Sequence, residues 1–312
     1  MYFSPVDLKR DHFLPPDPDA YHRADHPRGR VIVIAPTRAS CETIELALHA
    51  RVETLLQRKH GAELIEWAGA GKGFGIVAGT GTGKTLGTRL IAEAILREPL
   101  RIGVVNRERE ATPDTPSWNV IVVTTGIARR WLTDGFVTPR DTLIVDEIHQ
   151  TSAELELCLA LGKRTGCRFI WLSATVNPTF YREYLSSDEM LETSAFDSAL
   201  RAHVTVEPKQ PEAYLDDATI RRFVRENRGV AVFLPTRAEV ERLGEGLAAR
   251  FPKLNAAFYH GGEPIRIIRP FLEGEVKKPY LLAMTAAGQS ALNLPGLDTV
   301  IIDEIHAVAG TK

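Results

Sequence analysis

The stretch "AGTGTGKT" at 78–85 sets small and hydroxylic residues around one lysine. Glycines at 79, 81 and 83 let a short loop turn its backbone N–H groups inward, as a cradle for phosphate oxygens requires, and a helix starting at its end adds positive dipole. The stretch fits the phosphate-loop pattern G-x-x-x-x-G-K-[ST], with Ala78 in place of the first glycine, Thr80 and Thr82 between Gly79, Gly81 and Gly83, and Lys84 and Thr85 closing it. Lys84 would reach the β and γ phosphates of a nucleotide, and Thr85 would hold Mg²⁺. In "TLIVDEIHQ" (142–150), Asp146 and Glu147 stand just past an apolar run. There one carboxylate can meet Mg²⁺ and the other can orient or deprotonate an attacking water. The letters return in "VIIDEIH" (300–306). Asp303 and Glu304 read as structural or interlobe, because the first copy shares a half of the chain with the phosphate loop.

These residues need strands and helices to hold them. "VIVIAP" from 31 is a β-branched run, after which Ile44, Leu48, Val52 and Leu55 recur at helical spacing. "GFGIVAG" is a strand before a helix carrying Leu86, Leu90, Ile91 and Ile95. "RIGVV", "NVIVVT", "TLIVDE" and "FIWLSAT" are further strands, with helical stretches near 127–133 and 152–163. The part from about 176 to 228 is less regular, and "VAVFLP", "NAAFYH", "PYLLAMT" and "DTVIIDE" form a second set of strands. Apolar strands alternating with amphipathic helices predict α/β lobes with mostly parallel sheets covered on both faces. Ligands of such a sheet bind outside the carboxyl ends of its strands, where "AGTGTGKT", "PTR" (36–38), "TTG" (124–126), "DEIH" and "SAT" (173–175) all fall.

Composition agrees with a two-domain globular chain: 312 residues, 44% hydrophobic and 25% charged. Three scattered cysteines predict free thiols rather than a disulfide framework, and the absence of a signal-peptide pattern or membrane-length apolar run makes a cytoplasmic protein without membrane contact the expectation. A net charge of −2 offers no bulk basic surface for nucleic acid, which leaves a narrow, locally lined channel. Residues 1–30 read as an irregular arm. His22, His26, Asp19 and Asp25 there have no metal-ligand spacing and are expected in a solvated loop.

Taken together these motifs resemble the superfamily 2 helicases of the DExH type, over about 31 to 304. "AGTGTGKT" is similar to their A-x-x-G-x-G-K-T loop, and "DEIH" to the DExH box. The resemblance implies two RecA-like lobes, a P-loop NTPase fold, spanning 31–200 and 201–312, the second expected to be incomplete. It implies ATP or another NTP with Mg²⁺. Ser173, Ala174, Thr175 and His149 would couple hydrolysis to lobe movement. Single-stranded nucleic acid, RNA favoured over DNA, would meet Pro36, Thr37, Arg38, Thr124, Thr125 and Gly126 in the first lobe, and Thr236, Arg237 and Thr285 in the second. "AVFLPTRAEV" (231–240) repeats "VIVIAPTRAS" (31–40), so the two PTR turns read as equivalent elements of related lobes. An isolated PTR would more simply be a strand end followed by an N-capped helix.

Two departures stand out. The PTR strand precedes the phosphate loop instead of following it, so either the first lobe is circularly permuted, the favoured reading, or 31–60 is an added unit. No Arg follows Arg269, whereas the family carries an arginine finger near the end of the second lobe. The chain is therefore expected to be a fragment, a degenerate copy or dependent on a partner that supplies the arginine. The function expected is a nucleic-acid-dependent NTPase, an RNA helicase or translocase. The alternatives are an ATP-switched nucleic-acid-binding module with little hydrolysis, and a phosphoryl-transferring kinase, which would leave "SAT" and "TTG" unexplained.

Overall fold

The computed structural model describes residues 26–79, 81–109, 111–112, 114–174, 176–193, 205–285 and 294–303. The chain divides into two compact units, Met1–Arg201 and Ala202–Lys312. In the first unit the elements run β1 (Val31–Ala35), α1 (Arg38–His49), α2 (Leu55–Gly69), β2 (Phe74–Ala78), α3 (Lys84–Leu96), β3 (Ile102–Val105) and β4 (Val120–Thr124). They continue with α4 (Thr125–Thr133), β5 (Thr142–Val145), α5 (Ala153–Thr165), β6 (Arg168–Ser173), α6 (Pro178–Tyr184) and β7 (Glu189–Thr193). The seven strands pair in parallel in the order β3-β4-β1-β5-β6-β2-β7.

Alternate residues of β1 go to opposite cores. Ile32 and Ile34 pack with Trp131 and Trp171 on one face, and Val31 and Val33 with Ile44, Leu48 and Ile91 on the other. A strand covered on both faces must be apolar at every position, which is why "VIVIA" has no polar alternation. Each fully buried Val or Ile there stabilises the fold by roughly 1.5–3 kcal/mol.

β1 sits between β4 and β5, and β3 takes the edge. The segment from 31 is thus integral to the sheet rather than appended to it. The expected circular permutation is also corrected. Such a permutation keeps cyclic order and would make the phosphate-loop strand the last of the lobe, yet β2 is the second strand of seven in the chain.

The helical spacing of Ile44, Leu48, Val52 and Leu55 does not describe one helix. α1 ends at His49, Ala50 is extended, and Val52 is 63% exposed. A capping box starts the next helix: the Thr54 hydroxyl accepts from Gln57 N–H at 3.2 Å, and Gln57 Oε1 accepts from Thr54 N–H at 2.8 Å. Nor is the end of the expected arm solvated. His26 is buried with Nε2 2.8 Å from the Pro116 carbonyl, and Arg30 forms a buried pair with Asp141 at 2.8 Å. Burial alone would raise the Asp141 carboxyl, but the hydrogen bonds and charge of Arg30 hold it below its ordinary range. His22, Asp19 and Asp25 lie outside the described residues.

The second unit holds α7 (Pro211–Tyr214), α8 (Asp217–Arg225), β8 (Gly229–Phe233), α9 (Arg237–Arg250), β9 (Asn255–Tyr259), α10 (Arg269–Leu272), β10 (Tyr280–Met284) and β11 (Thr299–Ile302). Its four strands are parallel in the order β11-β8-β10-β9. Val230, Val232, Leu281 and Ala283 pack against Ile220, Phe223, Val240 and Leu247 of α8 and α9. The stretch from 176 to 228, irregular by sequence, contains α6, β7, α7 and α8.

Candidate functional site

The loop after β2 runs into α3 through two glycines in the left-handed region, Gly81 at φ +81 and Gly83 at φ +92. At Gly81 an added Cβ would meet nothing within 4 Å, whereas at Gly83 it would come 2.4 Å from Thr54 Cβ. Gly83 therefore answers both a conformational and a steric demand. The first turn of α2 braces the loop from behind: Leu56 N–H donates to the Thr82 carbonyl at 3.3 Å, and Gln57 Nε2 donates to the Leu86 carbonyl at 3.3 Å. Thr82 turns inward, its hydroxyl donating to the Gly79 carbonyl at 2.8 Å. Gly83 has no side chain to cap α3, so the first-turn N–H groups keep their positive end toward the loop. Thr80 lies outside the described residues.

Lys84, 5% exposed, folds back over this loop and donates to the carbonyls of Ala78 at 2.5 Å and Gly79 at 3.1 Å. Burial lowers its pKa, while the charges of Glu147 and Asp146 pull it up. The Thr85 hydroxyl donates to Asp146 Oδ2 at 3.1 Å, tying the start of α3 to the end of β5. Asp146 is buried, and that burial, followed by the charge of Glu147, pushes its carboxyl up to about 7. With the Thr85 hydroxyl this carboxyl is a hard oxygen donor set of the kind Mg²⁺ takes.

Glu147 is one of four described non-glycine residues at positive φ, at +51. Strain of this kind persists where the surroundings over-determine it: the Glu147 N–H is held by Asp146 Oδ1 at 3.0 Å, and the Ile148 N–H by the Leu172 carbonyl at 3.0 Å. The turn aims Glu147 Oε2 at His149 Nε2, 3.0 Å away, and His149 Nδ1 lies 3.2 Å from the hydroxyl of buried Ser173. Lys84, Thr85, Asp146, Glu147, His149 and Ser173 thus gather at the carboxyl ends of β2, β5 and β6. Ala174 follows at the end of β6, and Thr175 lies outside the described residues.

The other turns line the same edges. Ala35 is level with Thr124 in the β1–β4 pair, so the Pro36–Thr37–Arg38 and Thr124–Thr125–Gly126 turns are neighbours. Thr37 caps α1, its hydroxyl accepting from Ser40 N–H at 3.1 Å, and Arg38 is ion-paired with Glu108. Thr124 is the N-cap of α4 without a side-chain bond, and Thr125 and Gly126 begin that helix. In the second unit Thr236 caps α9 in a box with Glu239, and Arg237 is exposed. Phe233 is level with Met284, which brings the PTR turn of that unit beside Thr285. Asp303 continues β11, its N–H donating to the Phe233 carbonyl at 3.3 Å, and Glu304 lies outside the described residues.

Sequence reasoning missed Thr54 and Gln57, although T-x-x-Q before a helical run is a readable capping signal. It also missed Arg109, which clamps the loop after β3 to Glu42 and Glu45 of α1. A further cluster, Glu241, His260 and Glu263, has carboxylates 2.8 and 3.4 Å from His260 Nε2. Nδ1 of that ring accepts from Gly262 N–H at 3.0 Å, so the ring proton sits on Nε2, the nitrogen a metal would need bare. The cluster is a hydrogen-bonded strut. The three cysteines are free and buried, and no described helix is long and apolar enough to cross a membrane.

No protein-family model matches the chain, and no curated protein sequence does. Solved structures do. S. cerevisiae Dbp5 bound to RNA and ADP BeF3 aligns with a TM-score of 0.54 at 13% identity, over 90% of this chain and 73% of that one. A variant of the same yeast protein, also bound to RNA and ADP BeF3, aligns with a TM-score of 0.54 at 14% identity and the same coverage. At such identity the likeness is one of fold: α/β, with RecA-like lobes built on parallel sheets.

Proposed function

We propose that this chain is a nucleic-acid-dependent NTPase related to the superfamily 2 helicases, acting on single-stranded nucleic acid with RNA favoured over DNA. Its lobes would be residues 31–200 and 201–312, after an arm of 1–30. The observation that carries the reading is the run of contacts from Thr85 through Asp146 and Glu147 to His149 and Ser173 at one sheet edge, next to Lys84 folded onto the 78–85 loop. The structural likeness to a protein solved with RNA and ADP BeF3 adds weight to it.

In this reading ATP binds with its phosphates on the N–H groups of the 78–85 loop, displacing the Lys84 ammonium from the Ala78 and Gly79 carbonyls onto the β and γ oxygens. Thr85 and Asp146 would hold Mg²⁺, which when bound neutralises charge on those phosphates. Glu147, aimed by its left-handed backbone, orients the attacking water and accepts its proton. Loss of the γ phosphate then changes the Glu147–His149–Ser173 contacts, and through them the end of β6. The PTR and TTG turns and Thr285 hold the sugar-phosphate backbone, which gives binding without base preference.

The experiment is steady-state ATP hydrolysis by the chain at low salt, alone and with single-stranded RNA or DNA. RNA should stimulate it, and Lys84→Ala should lower the stimulated rate by roughly 10²-fold or more. Unchanged hydrolysis in that variant would sink the site assignment. Stimulation of the chain alone would also mean that no arginine from another protein is needed. Weak hydrolysis with intact binding of both ligands would replace this reading with an ATP-switched binding module.

A further inference from the structure

The C-terminal turns of α8 and α9 lie at the edge where β8 and β9 begin, the opposite edge of the second sheet from the PTR turn. Between them is an open pocket of about 410 Å³. Half-buried Val224 and Phe251 give it a hydrocarbon floor, exposed Pro252 adds apolar surface, and its rim is cationic, from the exposed Arg221, Arg225, Arg250 and Lys253. The Arg250 guanidinium lies over the Phe251 ring at 5.4 Å.

Basic residues at helix C-termini often do no more than complement the helix dipole. That explains Arg225 and Arg250, but not Arg221 a turn earlier or Lys253 beyond the helix. One carboxylate, Asp217, serves both Arg221 at 3.7 Å and Arg250 at 3.3 Å. Among the described residues no carboxylate is within ion-pair distance of Arg225 or Lys253. The rim therefore keeps a surplus of positive charge around an apolar floor.

We propose that this pocket docks an acidic peptide segment of a partner protein, seating one bulky apolar side chain on Val224, Phe251 and Pro252, with flanking carboxylates on the rim. A nucleobase fits the chemistry less well. The lining side chains are hydrocarbon or pure donors, so they offer carboxylates their partners and an apolar group its contact but give an exocyclic amine no side-chain acceptor. Charge complementarity selects acidic flanks and speeds encounter, while the apolar anchor supplies residence.

The test is fluorescence anisotropy of the full chain with a labelled peptide that carries acidic residues on both sides of a single phenylalanine. Saturable, salt-sensitive binding is expected. The double variant Arg225→Glu/Lys253→Glu should weaken it about tenfold or more, as should replacing the peptide's phenylalanine with alanine. Both altered side chains are exposed, so the variant should keep the thermal midpoint and the ATP hydrolysis of the parent. Absence of binding, or binding indifferent to either change, overturns the proposal. So does displacement of the peptide by single-stranded RNA whose own binding shows the same charge sensitivity, because the patch would then be a nucleic-acid surface.

Discussion

Replacing Gly83 by alanine, beside the same change at Gly81, separates the two demands the phosphate loop makes of its glycines. Both positions lie in the left-handed region, at φ +92 and +81, where an L side chain costs about 1–2 kcal/mol. At Gly81 nothing stands within 4 Å of the new Cβ, so the conformational cost is the whole effect. At Gly83 the new Cβ would lie 2.4, 2.5 and 2.7 Å from the Cβ, Cγ2 and Oγ1 of Thr54, and something must shift. Overpacking of this kind adds about 1–3 kcal/mol. A loop that relaxes to escape the clash no longer fits phosphate, so the loss divides between folding stability and nucleotide affinity, and the two must be measured together by urea denaturation and by titration with a fluorescent ATP analogue. Summed over both, Gly81→Ala should cost about 1–2 kcal/mol and Gly83→Ala roughly 2–5 kcal/mol, the latter at least about 30-fold in affinity if it falls on binding. Thr54→Gly removes the clashing carbon and costs the α2 cap only a few tenths of a kcal/mol, roughly. The double variant should therefore recover the steric part and keep the conformational part. If Gly83→Ala is no worse than Gly81→Ala, or if Thr54→Gly restores nothing, then α2 does not set the shape of the loop.

Asp146→Asn should make the nucleotide-free, magnesium-free protein more stable at pH 8 while abolishing hydrolysis. Burial first, then Glu147, raises the Asp146 carboxyl to about 7 from 3.8, so its contribution to stability is present below about 3.8 and is lost as pH rises through about 7. Converted at about 1.4 kcal/mol per pH unit the ceiling is roughly 4 kcal/mol, and relaxation around the charge brings the expected gain nearer ~2 kcal/mol. Urea titrations from pH 4 to pH 8 check this, and a gain that does not grow with pH refutes it. Arg30→Met should cost about 3 kcal/mol, since it leaves Asp141 charged, buried and without its guanidinium; a loss under ~1 kcal/mol by the same denaturation would mean that the pair is dispensable.

The parts of this molecule that were legible in its sequence are those whose physics is local. β1, β4, β5 and β6 each carry an unbroken apolar run because both their faces are buried, and the glycines of the 78–85 loop are spaced by the backbone geometry they permit. Edge position hid β7, whose "EMLET" carries two glutamates and buries only Leu191 well. Helical spacing ran on through Val52 because a step of three or four does not see a chain break, whereas the capping box at Thr54 does. Arg30 and His26 looked like solvated arm residues because the partners that bury them, Asp141 and Pro116, are remote in the chain. The place of β1 in the middle of the sheet is a matter of pairing order, which no local pattern encodes.

The repeated PTR turn shows how a single motif can serve two levels at once. Thr37 and Thr236 both spend their hydroxyls on helix N–H groups, at 3.1 Å from Ser40 and 3.3 Å from Glu239. The simplest account of the repeat, a strand end followed by a capped helix, is therefore realised in both units. Any phosphate taken at these turns would have to be held by the backbone N–H groups and the arginines. There the two copies differ. Arg38 is already engaged by Glu108, on a loop that Arg109 locks to α1, while Arg237 stands exposed beside Gly262. An anion arriving at the first turn would compete with a carboxylate, and one arriving at the second would meet an open guanidinium. Equivalent letters thus give inequivalent sites, and the difference is set by residues that no PTR pattern contains.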